Sequence, residues 1–188
     1  MTAELLDRLA TDLDDAFPEL VAAYESAVFA TALRLCGHWQ DAEDAAQETF
    51  VRAYAALGSW TELRIRELRV RPWLVQICLN AVRNRARSTA RRPRQAPLDD
   101  GVGVRDPSPG PEAEAGTRET RAALEVALGG LPDLYRRPVV LRHVTGLGYA
   151  EIAEVLGLPA GTVKAQVHRG VRMLATALQG TTAVEEAG

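Results

Sequence analysis

The 188-residue sequence predicts an all-α protein built as two small helical domains, and three observations carry that prediction. Hydrophobic residues make up 47% of the chain but aromatics only 5%, so Ala, Leu and Val do most of the packing, which favours helices over sheets. No alternating apolar/polar run and no Asn-Gly hairpin signal reads as a strand. The stretch "RRPRQAPLDDGVGVRDPSPGPEAEAG", residues 91–116, is rich in Pro and Gly, carries acids and lacks helical periodicity, so it reads as an extended linker. The expected division is a first domain over 12–92, a flexible acidic linker over 93–116, a second domain over 117–179 and a disordered tail over 180–188. Units this small fold alone with thin margins.

In the first unit, Leu20, Tyr24, Val28, Thr31 and Leu35 keep helical spacing, and Gly37 is the expected stop. A second helix is expected to open with Asp41 as N-cap, placing Glu43 and Asp44 in the first turn at the positive end of the helix dipole. Its inner stripe reads Ala42, Ala46, Phe50, Ala53 and Leu57, and Gly58 ends it. The run "SWTELRIRELRV" is either a short helix or an ordered loop. Pro72 suits the first turn of a further helix, whose core face is Trp73, Ile77, Cys78, Ala81 and Val82. Its outer face carries Asn80, Arg83, Asn84 and Arg87. In the second unit a helix through Leu124, Ala127 and Leu128 halts near Gly129 and Gly130. Pro138 starts or kinks the next, which runs to about Val144. Tyr149–Leu156 follow, then a turn at Gly157 and a helix from about Pro159 to Leu178.

The formal net charge of −3 averages over segments of opposite sign. Between Asp12 and Glu48, nine carboxylates face a single Arg34; between Val51 and Arg94, eleven arginines face only Glu62 and Glu67. Such asymmetry points to one surface for a protein and another for a polyanion. Lys164 is the only lysine. The acidic start "MTAELLDRLATDLDD" and the short apolar runs give neither a signal peptide nor a membrane span, so a cytoplasmic chain without membrane insertion is expected. Cys36 and Cys78 are too few for a disulfide framework; they read as small buried hydrophobes, with a redox role as the alternative. Cys36 and His38 have ligand-like spacing, but no second pair completes a zinc site, and no cofactor or metal is expected. No phosphate-cradling glycine loop, H-E-x-x-H or G-x-S-x-G occurs, and three scattered histidines form no constellation, so an enzyme is not expected.

The segment "GYAEIAEVLGLPAGTVKAQVHRGV", residues 148–171, carries the most specific pattern. Ile152, Ala153 and Leu156 face inward, Gly157 supplies the left-handed residue of a tight turn, and Pro159 presets the next helix. Val163, Val167 and Val171 form the expected buried stripe of that helix. Its opposite face presents Thr162, Lys164, Ala165, His168, Arg169 and Arg172. This is a helix-turn-helix layout, in which the second helix enters the DNA major groove, although the geometry also fits other helical hairpins.

The wording is more specific than the geometry. "GLGYAEIAEVLGLPAGTVKAQVHRGVRML" closely resembles region 4.2 of the sigma-70 family, especially its extracytoplasmic-function (ECF) group, and "LPDLYRRPVVLRHVTG" resembles region 4.1. Independently, "DAEDAAQETFVRAYAAL" resembles region 2.2 and "RPWLVQICLNAVRNRAR" resembles regions 2.3–2.4. The resemblance implies a sigma factor that binds core RNA polymerase and directs promoter-specific initiation through −10 and −35 elements. An autonomous helix-turn-helix regulator is the alternative; it accounts for residues 117–178 but not for "DAEDAAQETF" or the Arg/Asn strip. The implied partners are core polymerase, through its β′ clamp helices and β flap, promoter DNA, and an anti-sigma factor.

The resemblance assigns polymerase contact to Asp44, Gln47 and Glu48, with Phe50 on the inward side; without it these acids read as a solvated helix face. It assigns the −10 region to Asn80, Arg83, Asn84 and Arg87, which recur at spacings of three and four as one polar strip. Arginines there neutralise phosphates, and asparagines bond the edges of flipped bases. Trp73 reads as core, with base stacking as the alternative, and Arg91, Arg92 and Arg94 as phosphate contacts or a solvated end. The −35 positions carried over are Lys164, Ala165, His168 and Arg169, supported by Arg142 and Tyr149. Arg169 suits a guanine edge or neighbouring phosphate, Lys164 a phosphate anchor, and His168 equally a solvated residue. Three positions depart from the family: residues 60–73 run longer, Ala165 replaces a frequently polar residue, and Gly148 stands where a serine cap is common.

Overall fold

A computed structural model describes the backbone of residues 3–90 and 122–185 and the side chains of residues 3–86 and 122–179. The expected linker over 93–116, the residues Arg91, Arg92 and Arg94, and the side chain of Arg87 lie outside the described residues. So do the side chains of the expected tail. Among the described residues there are helices and no strand. The first unit comprises α1 (Ala3–Thr11), α2 (Leu13–Cys36), α3 (Trp39–Gly58), α4 (Glu62–Arg66) and α5 (Val70–Ala90). The second comprises α6 (122–130), α7 (Asp133–His143), α8 (Tyr149–Leu156) and α9 (Ala160–Glu185).

The first unit packs α2, α3 and α5 around a core built from Leu20, Val28, Ala32, Ala42, Ala46, Ala53, Leu57, Leu74 and Cys78. Small residues dominate α3, so its neighbours approach closely; buried Thr49 satisfies its hydroxyl by donating to Ala45 O at 2.7 Å. Leu5 and Leu9 of α1 also join this core, upstream of the expected boundary at residue 12. Gly37 stops α2 as expected, at φ 76°, with its N–H donating to Leu33 O at 2.8 Å. The ambiguous run resolves into α4, capped by the Thr61 hydroxyl.

Asp41 does not cap α3. The helix opens two residues earlier behind His38, whose side chain makes no capping bond, and Asp41 sits in the first turn. A carboxylate is favoured by the dipole at either position, so sequence composition alone does not separate them. Phe50 is only half-buried, while Ala45 and Thr49 complete the inner face.

Pro138 does not start α7. It lies buried inside that helix, which begins at Asp133 behind Pro132. The stripe expected on the helix after Gly157 is also corrected: Val171 is 40% exposed, and among the described side chains of α9 the buried residues are Val163, Gln166, Val167, Gly170 and Leu174. Helical residues advance about 100° each, so two steps of four drift roughly 80° off a face, whereas a four followed by a three returns to it. Gly170 is the third member because α7 lies against it; a Cβ there would come 2.6 Å from Val139 Cγ2.

The two units share their buried surface. Leu35 of α2 is buried among Leu128, Leu131, Val139 and Leu174, with Leu79 and Val82 packed alongside. Val75 of α5 is buried among Leu141, Leu147, Ile152, Val163 and Val167. Both are first-unit side chains that complete second-unit clusters.

Candidate nucleic-acid and protein interfaces

The acidic face of α3 displays Asp44 and Gln47 to solvent, with Glu48 half-buried beside them. Glu48 pairs with Arg52 one turn on at 2.5 Å, and Asp44 pairs with Arg85 of α5, which also lies 3.5 Å from Asp41. The carboxylates are thus partly neutralised from within. Val51, at 69% exposure, projects on the same side of α3. A bare apolar side chain amid carboxylates suits a protein contact, and its signal in the sequence was an apolar residue lying off the inner stripe.

On α5, Arg83 and Asn84 are exposed and Asn80 is half-buried. Arg83 Nη2 donates to Asn80 Oδ1 at 2.7 Å, which turns the two side chains toward each other. Pro72 lies in the first turn of the helix that presents them. Trp73 is half-buried in the first core with its ring 5.1 Å from that of Trp60, and Arg64 lies over Trp60 at 3.9 Å.

The helix-turn-helix forms as expected. Gly157 adopts φ 66° between α8 and α9, and Ile152 is fully buried while Ala153 and Leu156 are half-buried. Gly148 offers no capping side chain, but its N–H donates to Glu151 Oε2 at 2.8 Å, half of a capping box. That bond, and then Arg69, holds the Glu151 carboxyl below its usual range. Lys164, Ala165, His168 and Arg169 are all exposed on one side of α9. The Arg169 guanidinium lies over the Tyr135 ring of α7, 5.8 Å from its centroid. Arg142 is held by Leu147 O at 2.9 Å and by the Tyr149 ring at 5.1 Å, so the two supporting residues brace each other.

Sequence reasoning missed Arg69, Arg85 and Val75. Arg69 donates to Glu151 Oε1 at 2.7 Å and Glu154 Oε2 at 3.0 Å, across the boundary between units. No spacing within either unit signals such a pair. Cys36 and Cys78 are packed within the first unit and its boundary with the second; burial pushes their thiols up to about 11 and about 12. No group of three or more His, Cys, Asp or Glu among the described residues could hold a metal.

Residues 20–92 match the family model described as Sigma-70 region 2, and residues 121–174 match Sigma-70, region 4. The chain is 34% identical over 156 residues to the ECF RNA polymerase sigma factor SigE of Mycolicibacterium smegmatis; the match covers 83% of this chain but only 59% of SigE. It is 30% identical over 165 residues to the ECF RNA polymerase sigma factor SigW of Bacillus subtilis, covering 83% of this chain and 85% of SigW. The fold is similar to that of CnrH in complex with the cytosolic domain of CnrY, with a TM-score of 0.69, 26% identity, and coverage of 95% of this chain and 97% of that one. An autonomous regulator would account for the second family match and leave the first unexplained. With both regions matched in order and 85% of SigW covered at 30% identity, the chain belongs to the sigma-70 family, as a sigma factor of its extracytoplasmic-function group.

Proposed function

We propose that this sigma factor binds core RNA polymerase through α3 and places α5 and α9 on the −10 and −35 elements of its promoters. One observation carries the reading: α3 bears four carboxylates against the single Arg52, together with exposed Val51, whereas the described side chains of α5 and α9 include arginines and Lys164 and no carboxylate. Asp44, Gln47 and Glu48 orient the polymerase encounter, and Val51 supplies apolar contact at its centre. Charges of this kind act chiefly on association rate, since Asp44 and Glu48 already have internal partners.

Asn80, Arg83, Asn84 and Arg87 hold the displaced strand at −10, the arginines on phosphates and the asparagines on base edges. Lys164, His168 and Arg169 read the −35 groove beside Ala165, with Arg142 and Tyr149 buttressing the hairpin. The units expected over 12–92 and 117–179 carry these roles, the first together with α1, whose Leu5 and Leu9 join its core. The chain performs no catalysis of its own, works in the cytoplasm and is held in check by a separate anti-sigma factor. Among the described residues no helix is long and apolar enough to cross a membrane.

Gel filtration of the chain with bacterial core polymerase at low salt should give a joint complex. Mapping the start sites that this complex uses should reveal two upstream motifs at fixed separation. Absence of association at low salt overturns the reading.

A further inference from the structure

We infer that Arg85 is a displaceable counter-ion of the docking face: it covers Asp44 in the free chain and passes to Asp41 when a cation of core polymerase takes its place. The inference rests on the reading of Asp44 as a polymerase-docking residue. Arg85 reaches Asp44 from α5, 41 positions along the chain, and Asp41 stands one turn earlier on α3. One nitrogen serves both carboxylates: Nη2 bonds Asp44 and lies 3.5 Å from Asp41. Arg85 Nε is buried and has no acceptor, so that nitrogen adds no second prong to lock the guanidinium on one carboxylate. A short swing of the side-chain end moves it fully onto Asp41.

Exposure and charge favour the exchange. Asp44 is 53% exposed and Arg85 31%, so an incoming cation meets the carboxylate from solvent while the guanidinium sits deeper. Ion pairs this exposed are weak, and trading one carboxylate for another costs little. Without a second acceptor, a partner that took Asp44 would strand a half-buried cation beside its own, and that repulsion opposes docking. Asp41 removes the penalty. Glu48 is different, because its partner Arg52 lies one turn on along the same helix, an ordinary contact of neighbouring turns. Arg85 is therefore a positioning residue that sets how readily α3 accepts a cationic partner.

The test measures association of the full chain with immobilised bacterial core polymerase by interferometry at several salt concentrations. Arg85→Gln should associate about threefold faster at low salt, with a steeper fall as salt rises, as an uncovered carboxylate requires. Asp41→Asn should associate more slowly than Glu43→Gln, which removes the same charge from an exposed position in the same turn. In the Arg85→Gln background those two substitutions should slow association equally, because no guanidinium then needs Asp41. Long-range charge alone would leave the gap between them the same in both backgrounds, and that result overturns the proposal. So does an unchanged or slower rate in Arg85→Gln with native circular dichroism. Should Arg85→Gln not fold, the native background decides: Asp41→Asn no slower than Glu43→Gln overturns the exchange. Asp44→Asn separates the two readings. An unchanged rate in that variant counts against Asp44 as a docking residue and removes this inference with it, whereas a slowed Asp44→Asn beside an unchanged Arg85→Gln counts against the inference alone.

Discussion

Gly170 lies inside α9 and Gly148 is the N-cap residue of α8, and enlarging them is expected to act in opposite directions. At Gly170 alanine gains about 0.5–1 kcal/mol of helix propensity, but its Cβ falls 2.6 Å from Val139 Cγ2 and 3.4 Å from Tyr135 O. Overpacking of this kind costs about 1–3 kcal/mol, so Gly170→Ala should lower stability by about 1 kcal/mol and the thermal midpoint by about 2–4 °C. At Gly148 the backbone is extended and a Cβ meets only Glu151 Oε2 at 3.5 Å, an ordinary contact. Gly148→Ser completes the capping box and should raise stability by a few tenths of a kcal/mol, read by thermal melts of both variants side by side. The thiols make a second residue-scale prediction. Burial raises both above the ordinary value of 9.0, to about 11 at Cys36 and about 12 at Cys78. A folded pKa above the unfolded one means stability present below pH 9 and lost as pH rises through the 9 to 12 window. Denaturant midpoints should fall over that window in the native chain, and less in Cys36→Ala. At neutral pH neither thiol should react rapidly with a disulfide reagent until the chain unfolds.

Among the elements, α9 separates specificity from general affinity. Arg169 projects beside Tyr135 from the helix expected in the −35 groove, and Arg169→Ala should lose on the order of 1–3 kcal/mol of discrimination between matched and mismatched −35 sequences. Lys164→Ala should weaken binding nearly equally across sequences and reduce the salt slope by about 1. Transcription with polymerase on matched and altered promoters, at several salt concentrations, distinguishes the two. Unchanged discrimination in the Arg169 variant would show that the groove is read by other side chains. The α8–α9 turn needed nothing beyond local signals. Gly157 and Pro159 punctuate it, and the apolar spacing of four residues identifies its inner side. The error at Val171 came from extending that spacing one step too far, past the point where a straight helix rotates off its contact line.

For the whole molecule, acid should weaken the start of α8 together with its pairing to Arg69 of the first unit. The Glu151 carboxylate accepts from Gly148 N–H and from Arg69, which together hold it below the ordinary glutamate value of 4.5. A depressed folded pKa confers stability that is present above pH 4.5 and lost as pH falls below it. Burial alone would raise the Asp133 carboxyl, but Arg136 and Arg137 outweigh it and lower it, so α7 weakens as pH falls below 3.8. Thermal midpoints should fall as pH drops through that range, and less in Glu151→Gln, which cannot titrate. An equal fall in both chains would assign the effect to other carboxylates.

Helix identity, the Gly37 and Gly157 stops, the placement of Pro72 and the two family motifs were legible from residue order, because each depends on neighbours within a few positions along the chain. The shared side of Asn80, Arg83 and Asn84 and the exposed side of α9 were legible for the same reason: a helix converts spacings of three and four into a shared surface. Asp41's place in the first turn, Pro138 inside α7 and the turn of Val171 to solvent were decided by which helix lies opposite. The pairing of Arg69 with Glu151 and Glu154, and the burial of Leu35 and Val75 in the other unit, join residues 60 to 140 positions apart. Contacts at that separation leave no local pattern, since their free energy belongs to a surface that exists only once both units have folded.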